Sequence, residues 1–253
     1  MIENKIETLD DRVPTDLRFK IIACLRGALE EDLPLFQESS HLVTHNGDRH
    51  LKGDYINTRM QNEIACDDIE VVAFSRYGYE SRIIIDRSNR IAYNVISKSR
   101  MTQLMREAIT KNVPHYTLLF AYALNSDLKA SQKQLSMFNE YPFNPDVMEH
   151  GYNKLLGGQL QPNSGYRYCV ITYEVKSGFL LDCEILMLDR DLDIITKVDL
   201  ADYITPEYAL LTQRDSEDLE QHDSQHRVKL KKKFTQEDSS LVALKEAEKE
   251  NRA

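Results

Sequence analysis

Residues 69–97 limit the fold more than any other stretch of the chain. IEVVAF, SRIIID and RIAYNVIS are three short runs rich in Val, Ile, Phe and Tyr, the residue types that suit a pleated, half-buried surface. RYGYE and RSN separate them and supply the Gly, Ser and Asn that tight turns need. Short apolar runs joined by such turns predict an antiparallel three-stranded meander. A meander must bury at least one face. The next segment offers a cover, because Met101, Leu104, Met105, Ala108 and Ile109 recur at helical spacing behind a capping Ser99.

The pattern returns later. YRYCVITYEVK and FLLDCEILML are joined by Ser177-Gly178, a two-residue hairpin signal, and DRDLD then leads to IITKVDL. Two meanders, over 69–97 and 166–198, predict an α+β protein with four to five helices. They form either one mixed sheet covered by helices on one face or two lobes joined at 125–145. Helices are expected from Thr15, as N-cap, with Leu17, Ile21, Leu25, Ala28 and Leu29 inward, ending at Glu30–Asp32 before Pro34. Others are expected over 54–66 behind Asp54, over 115–123, and from Asp146, as N-cap, to the Gly157-Gly158 stop. The stretch between His41 and Asp54 reads as a loop. Its His41, His45 and His50 match no zinc spacing, so no metal is expected there.

Composition bounds the rest. With 253 residues, 42% of them hydrophobic, the chain can bury a full core, placed here at 1–205. Residues 206–253 change character: SEDLEQHDSQH is acidic, VKLKKKF is basic, and apolar residues are sparse. That stretch is expected to be a charged tail, disordered or helical. A net charge of −9 argues against direct duplex binding. No apolar run nears the ~20 residues of a membrane helix, and the N-terminus is polar and acidic where a signal peptide would be basic and then apolar. A cytoplasmic protein is expected. Cys24, Cys66, Cys169 and Cys183 form no CxxC pair, and the last two lie in apolar strands as small hydrophobes.

Two motifs bear on function. Pro145-Asp146 with Glu174-Val175-Lys176 has the lettering of the PD-(D/E)XK nucleases, in which two acids hold Mg²⁺ and a lysine positions water. Glu174 and Lys176 share a strand face. In that fold, however, the ExK strand closes a meander and leads into a helix, whereas Ser177-Gly178 turns into another strand. The first meander has the right connectivity and offers Asp86, but carries Asn94-Val95-Ile96 where Glu-x-Lys belongs. Asp182, Glu184, Asp189, Asp191 and Asp193 form an acid-rich run, and DRDLD lacks the Gly and terminal Glu of a calcium loop. No GxGxxG, Walker A, GxSxG or HExxH occurs, so no cofactor is expected outside the Mg²⁺ of the nuclease alternative. The second motif is Gln134-Leu135-Ser136-Met137-Phe138. It resembles the Q-L-(S/D)-L-F pentapeptide by which bacterial DNA polymerases and repair proteins dock into the sliding clamp. Such docking needs an exposed segment whose glutamine hydrogen-bonds and whose apolar residues fill pockets.

Several blocks together (NGDRHLKGDYINTRM, SRIIIDRSNRIAYNVISKSRMTQL, PHYTLLFAYALN, the QLSMF pentapeptide and the closing strand pair) resemble a family of bacterial proteins catalogued as a domain of unknown function. Its members occur in firmicutes and mobile elements. The resemblance covers residues 15–205. It implies a bacterial cytoplasmic setting and transfers no catalytic residue. The functional expectation is a non-enzymatic interaction protein, mobile-element or phage-related, associated with DNA-processing machinery through a protein partner such as the clamp. The alternative is a divergent nuclease using Asp146, Glu174 and Lys176. Oligomeric state is left open.

Overall fold

A computed structural model describes residues 8–44, 46–107, 113–129, 143–156 and 158–204. The pentapeptide 134–138, the tail 206–253, and His45, Ala108, Ile109 and Gly157 lie outside the described residues.

Both predicted meanders form. In chain order they are β1 (Ile69–Arg76), β2 (Tyr79–Asp86) and β3 (Ile91–Ser97), then β4 (Arg167–Lys176), β5 (Phe179–Leu188) and β6 (Ile194–Asp199). They belong to one six-stranded sheet in the order β1-β2-β3-β4-β5-β6. Every neighbouring pair is antiparallel except β3 and β4, which run parallel over 91–97 and 167–173. Parallel neighbours need a long crossover, here the helices α5 (Lys98–Glu107), α6 (Tyr116–Leu124) and α7 (Pro145–Leu156).

Helices cover both faces, not the single face expected. One face carries α1 (Leu9–Arg12), α2 (Thr15–Arg26), α3 (Leu33–Ser40) and α4 (Asp48–Glu63). Leu17, Ile21, Leu25, Ile56 and Met60 there meet Val71, Ile84, Tyr93, Cys169, Ile171 and Ile185. On the other face Met101, Leu104, Leu119, Phe120, Met148 and Tyr152 meet Val72, Phe74, Ile83, Ile85, Val170 and Leu186. The strands near the sheet centre therefore read as near-continuous apolar runs, since both of their faces are buried. Cys24, Cys169 and Cys183 are free and buried, while Cys66 is exposed. Burial pushes the Cys169 thiol up to about 12.

Several helix ends differ from expectation, each for a local reason. Thr15 is inside α2, and its N-cap is Pro14. Glu30–Asp32 do not stop the helix. The backbone widens into a π-helical turn over Gly27–Asp32 and continues as α3, which tolerates Pro34 in its first turn. Arg59 on the neighbouring α4 pairs with Glu31 (3.0 Å) and Asp32 (2.7 Å) of this turn, and a Cβ at Gly27 would strike its guanidinium. Helix α4 begins at Asp48, so His50 and Asp54 are helical rather than in a loop or at a cap. Ser97 caps α5, its Oγ accepting from Arg100 N–H at 3.3 Å, so Ser99 falls inside the helix. Asn144 Oδ1 accepts from Asp146 N–H at 2.9 Å, so Asp146 is a first-turn residue and not the cap.

Asn125 ties the crossover to the sheet. Fully buried, it accepts from Tyr168 N–H at 2.9 Å, and its amide donates to the carbonyls of Tyr168 (2.8 Å) and Leu188 (2.6 Å). Helix α5 also packs on the sheet: Leu104 is buried among the residues of its core. We predict that Leu104→Ala costs about 2–5 kcal/mol, the sum of lost burial and a cavity, measured by chemical denaturation.

Candidate functional site

The C-terminal ends of β3 and β4 and the start of β5 share one rim of the sheet, because parallel β3 and β4 both end there and the β4–β5 hairpin turns there. Ser177 (φ 53°) and Gly178 (φ 89°) make that turn left-handed at both central residues, as a tight hairpin between twisted strands requires. On the α5 side of this rim stand Thr172 and Glu174 from β4 and Asp182 and Glu184 from β5. Glu174 lies directly opposite Asp182, and Thr172 opposite Glu184. Like charges opposed on adjacent strands repel, so the arrangement needs cations.

Two lysines supply them. Lys98, the first residue of α5, leaves the end of β3 and ion-pairs with Asp182 and, at 2.7 Å, with Glu184. Lys197 on β6 reaches the other Glu184 oxygen at 2.6 Å. The Glu184 side chain is only 15% exposed. Burial alone would raise its pKa, but hydrogen bonds from Lys197 and Lys98 outweigh that and hold it below its ordinary 4.5. Burial likewise opposes the charged form of Lys98, and the hydrogen bonds it donates to Asp182 and Glu184 reverse the balance and raise its pKa. The site is thus a charge-compensated cluster that ties α5 to the far half of the sheet.

Sequence-predicted residues fall around this cluster unevenly. Glu174 and Lys176 are exposed on one face of β4, next to it. Opposite the step from Glu174 to Val175, β5 carries one extra residue, Leu181, at a bulge. That bulge turns Leu180 into the opposite core. Asp146 is exposed on α7, which packs against α6 and β1, with β2 and β3 between β1 and Glu174's strand. The connection between α6 and α7 contains residues 134–138. The DRDLD segment is a backbone-binding turn: Asp189 Oδ1 accepts from Asp191 N–H at 2.8 Å and Asp193 N–H at 2.9 Å, and Leu192 adopts φ 70°. Among the described residues no group of three or more His, Cys, Asp or Glu side chains is placed to hold a metal ion. Lys98 and Lys197 are the cations that sequence reasoning missed, and Lys98 is the harder to find. It lies 84 positions from Asp182, and only the β3–β4 pairing makes them neighbours.

A second polar region is a shallow cavity of about 210 Å³ between α4 and β2, lined by Asp54, Asn57, Thr58, Gln61, Asn62, Glu80 and Arg82. Its helix residues repeat every three or four positions, the solvent-facing stripe of α4.

Sequence comparison decides the relationship of the chain. The model of the Family of unknown function (DUF5986) matches residues 10–244. The chain belongs to that family. The match runs beyond the 15–205 expected from the sequence blocks and takes in most of the charged C-terminal segment. No curated protein and no solved structure matches the chain. No described helix is long and apolar enough to cross a membrane.

The electrostatic reading has a pH consequence. Because the folded pKa of Glu184 lies below its unfolded value, its contribution to stability is present above pH 4.5 and is lost as the pH falls through the folded pKa. Lys98→Met leaves Asp182 without that partner and Glu184 with Lys197 alone, and is expected to cost about 1–3 kcal/mol near pH 7. The cost should shrink as the pH falls below 4.5 and through the folded pKa of Glu184, whose protonation removes the charge that Lys98 meets there; urea melts of both proteins across that range measure it.

Proposed function

We propose that the chain is a non-enzymatic interaction protein that docks on DNA-processing machinery, with the sliding clamp as partner and Gln134, Leu135, Ser136, Met137 and Phe138 as the docking peptide. One observation carries this reading. The chain is anchored on both sides of the pentapeptide, by Leu128 packed against one core and Phe143 buried in the other. A peptide held at both ends by a rigid body loses less entropy on binding than a free one. The chemistry of the rim agrees, since Asp182 and Glu184 are engaged by lysines and serve the fold. A peptide spanning 131–141 is expected to bind purified clamp with affinity on the order of micromolar. Leu135→Ala with Phe138→Ala in the full chain should abolish clamp binding without lowering the melting temperature. Clamp binding that survives both changes would defeat the assignment.

A second reading is a divergent Mg²⁺-dependent nuclease, whose connectivity the first meander follows, although β3 carries Asn94-Val95-Ile96 where Glu-x-Lys belongs. Helix α4, the meander β1–β3, a helical crossover and a fourth strand parallel to the third follow the order such a fold uses, and Glu174 and Lys176 border the Asp182–Glu184–Lys98 cluster. Incubation of the full chain with DNA and Mg²⁺ separates the two readings. The interaction reading expects no hydrolysis, whereas cleavage that needs Mg²⁺ and disappears in Glu174→Ala and Lys176→Ala would establish the second.

A further inference from the structure

The two edges of the sheet are unlike. Strand β6 is short, and its register shifts opposite Met187 and Leu188, where Ile195 is extra. Bulges and short strands are how natural sheets discourage edge pairing. Strand β1 has neither device: its eight residues pair with β2 in unbroken register, from Ile69 opposite Asp86 to Arg76 opposite Tyr79. Among the described residues no strand pairs with its outer side.

Backbone geometry shows which groups that side offers. Tyr77 (φ 51°) and Gly78 (φ 78°) form a two-residue hairpin turn, which makes the flanking pair Arg76–Tyr79 a hydrogen-bonded one. Even-numbered residues of β1 therefore bond inward to β2, and odd-numbered ones point outward. Two bonds at the start of the strand agree. Asp68 C=O accepts from Arg87 N–H (2.9 Å), whereas Ile69 exchanges both its backbone bonds with Cys66 (2.9 and 3.2 Å) on the far side. With Ile69 so occupied, Val71, Ala73 and Ser75 are left to present outward N–H and C=O groups. Ala73 and Ser75 have small exposed side chains, so a second backbone can approach closely.

We propose that β1 pairs antiparallel with β1 of a second copy of this chain, with Ala73 on the two-fold axis, extending the sheet to twelve strands. This register alone uses all three outward residues: Ala73 faces the partner's Ala73, and Val71 and Ser75 face the partner's Ser75 and Val71. Each pair exchanges two backbone hydrogen bonds. The same register sets Glu70 opposite the partner's Arg76, twice by symmetry. Arg76 has cause to be there. Its guanidinium lies over the Tyr77 ring, yet its buried Nη1 finds no hydrogen-bond partner among the described residues. Glu70 is half-exposed and gives Oε2 to Arg87, which leaves Oε1 to meet the partner's Arg76. The charges are complementary in this register. Contact through one strand each predicts a reversible dimer rather than an obligate one.

Sedimentation of the full chain over a range of concentrations tests this. The expected species has twice the mass of one chain at tens of micromolar and dissociates on dilution. Ala73→Pro removes the axial outward N–H but no bond to β2, and an edge strand tolerates it; it should yield monomer with an unchanged circular dichroism spectrum. Arg76→Glu opposes two carboxylates and should weaken the dimer roughly tenfold or more, and Glu70→Lys added to Arg76→Glu should restore it. Hydrogen exchange should show the amides of Val71, Ala73 and Ser75 gaining protection as concentration rises. A chain that stays monomeric, or a dimer indifferent to Ala73→Pro and Arg76→Glu, overturns the proposal. Edge protection that appears only with another protein would assign β1 to that partner instead.

Discussion

The parallel pairing of β3 with β4 is the contact on which the rest of the structure depends. Each meander closes locally through hairpins whose turns are written in adjacent residues. Nothing local joins the two. The join is made by seven paired residues on each strand and by a crossover of three helices, which must leave one end of β3 and return to the other end of the sheet. Because the strands at this seam lie beneath helices on both faces, most of the seam is buried. Two polar side chains there have specific partners, Asn125 in the backbone of Tyr168 and Leu188, and Asn94 Oδ1 in the Tyr168 hydroxyl, whereas the Tyr93 hydroxyl and Asn94 Nδ2 find none among the described residues.

That seam also creates the charged rim. Lys98 is placed by the end of β3, and Asp182 and Glu184 by the strand that follows β4, so the ion pairs exist only when the two meanders are in register. Comparable logic operates on the other face. Arg59 gathers Glu31, Asp32 and Glu63, and its hydrogen bonds and charge hold Asp32 below the usual carboxylate range. Gly27, at the start of the π-turn, leaves the room that the guanidinium occupies. In both places acids anchor one element of the fold to another.

Much of the architecture was legible beforehand, and the failures have physical causes. Tyr77-Gly78 and Ser177-Gly178 announce their hairpins because only a few residues accept positive φ at low cost. The stripe around Leu104 announces α5 because burial repeats with the helical period. Helix α4 was read as starting six residues late, since Asp48, Arg49, His50 and Lys52 form a polar first turn with no apolar period to detect. The continuation from α2 through Gly27 into α3 was hidden by three acids and a proline that normally mark an ending. Of the candidate site, Glu174, Asp182 and Glu184 could be placed on one face by strand alternation, but Lys98 could not be brought to them.

The sequence by itself determined which segments are strands, where the hairpins turn, and that two meanders would need helical cover, because those properties depend on residues within a few positions of one another. Only the tertiary structure decided that the meanders form one sheet, that helices lie on both faces, and that β1 is left as the regular, unbulged edge. Those outcomes depend on contacts between residues scores of positions apart. Local preference is silent about such contacts, because their free energy appears only when whole layers pack together.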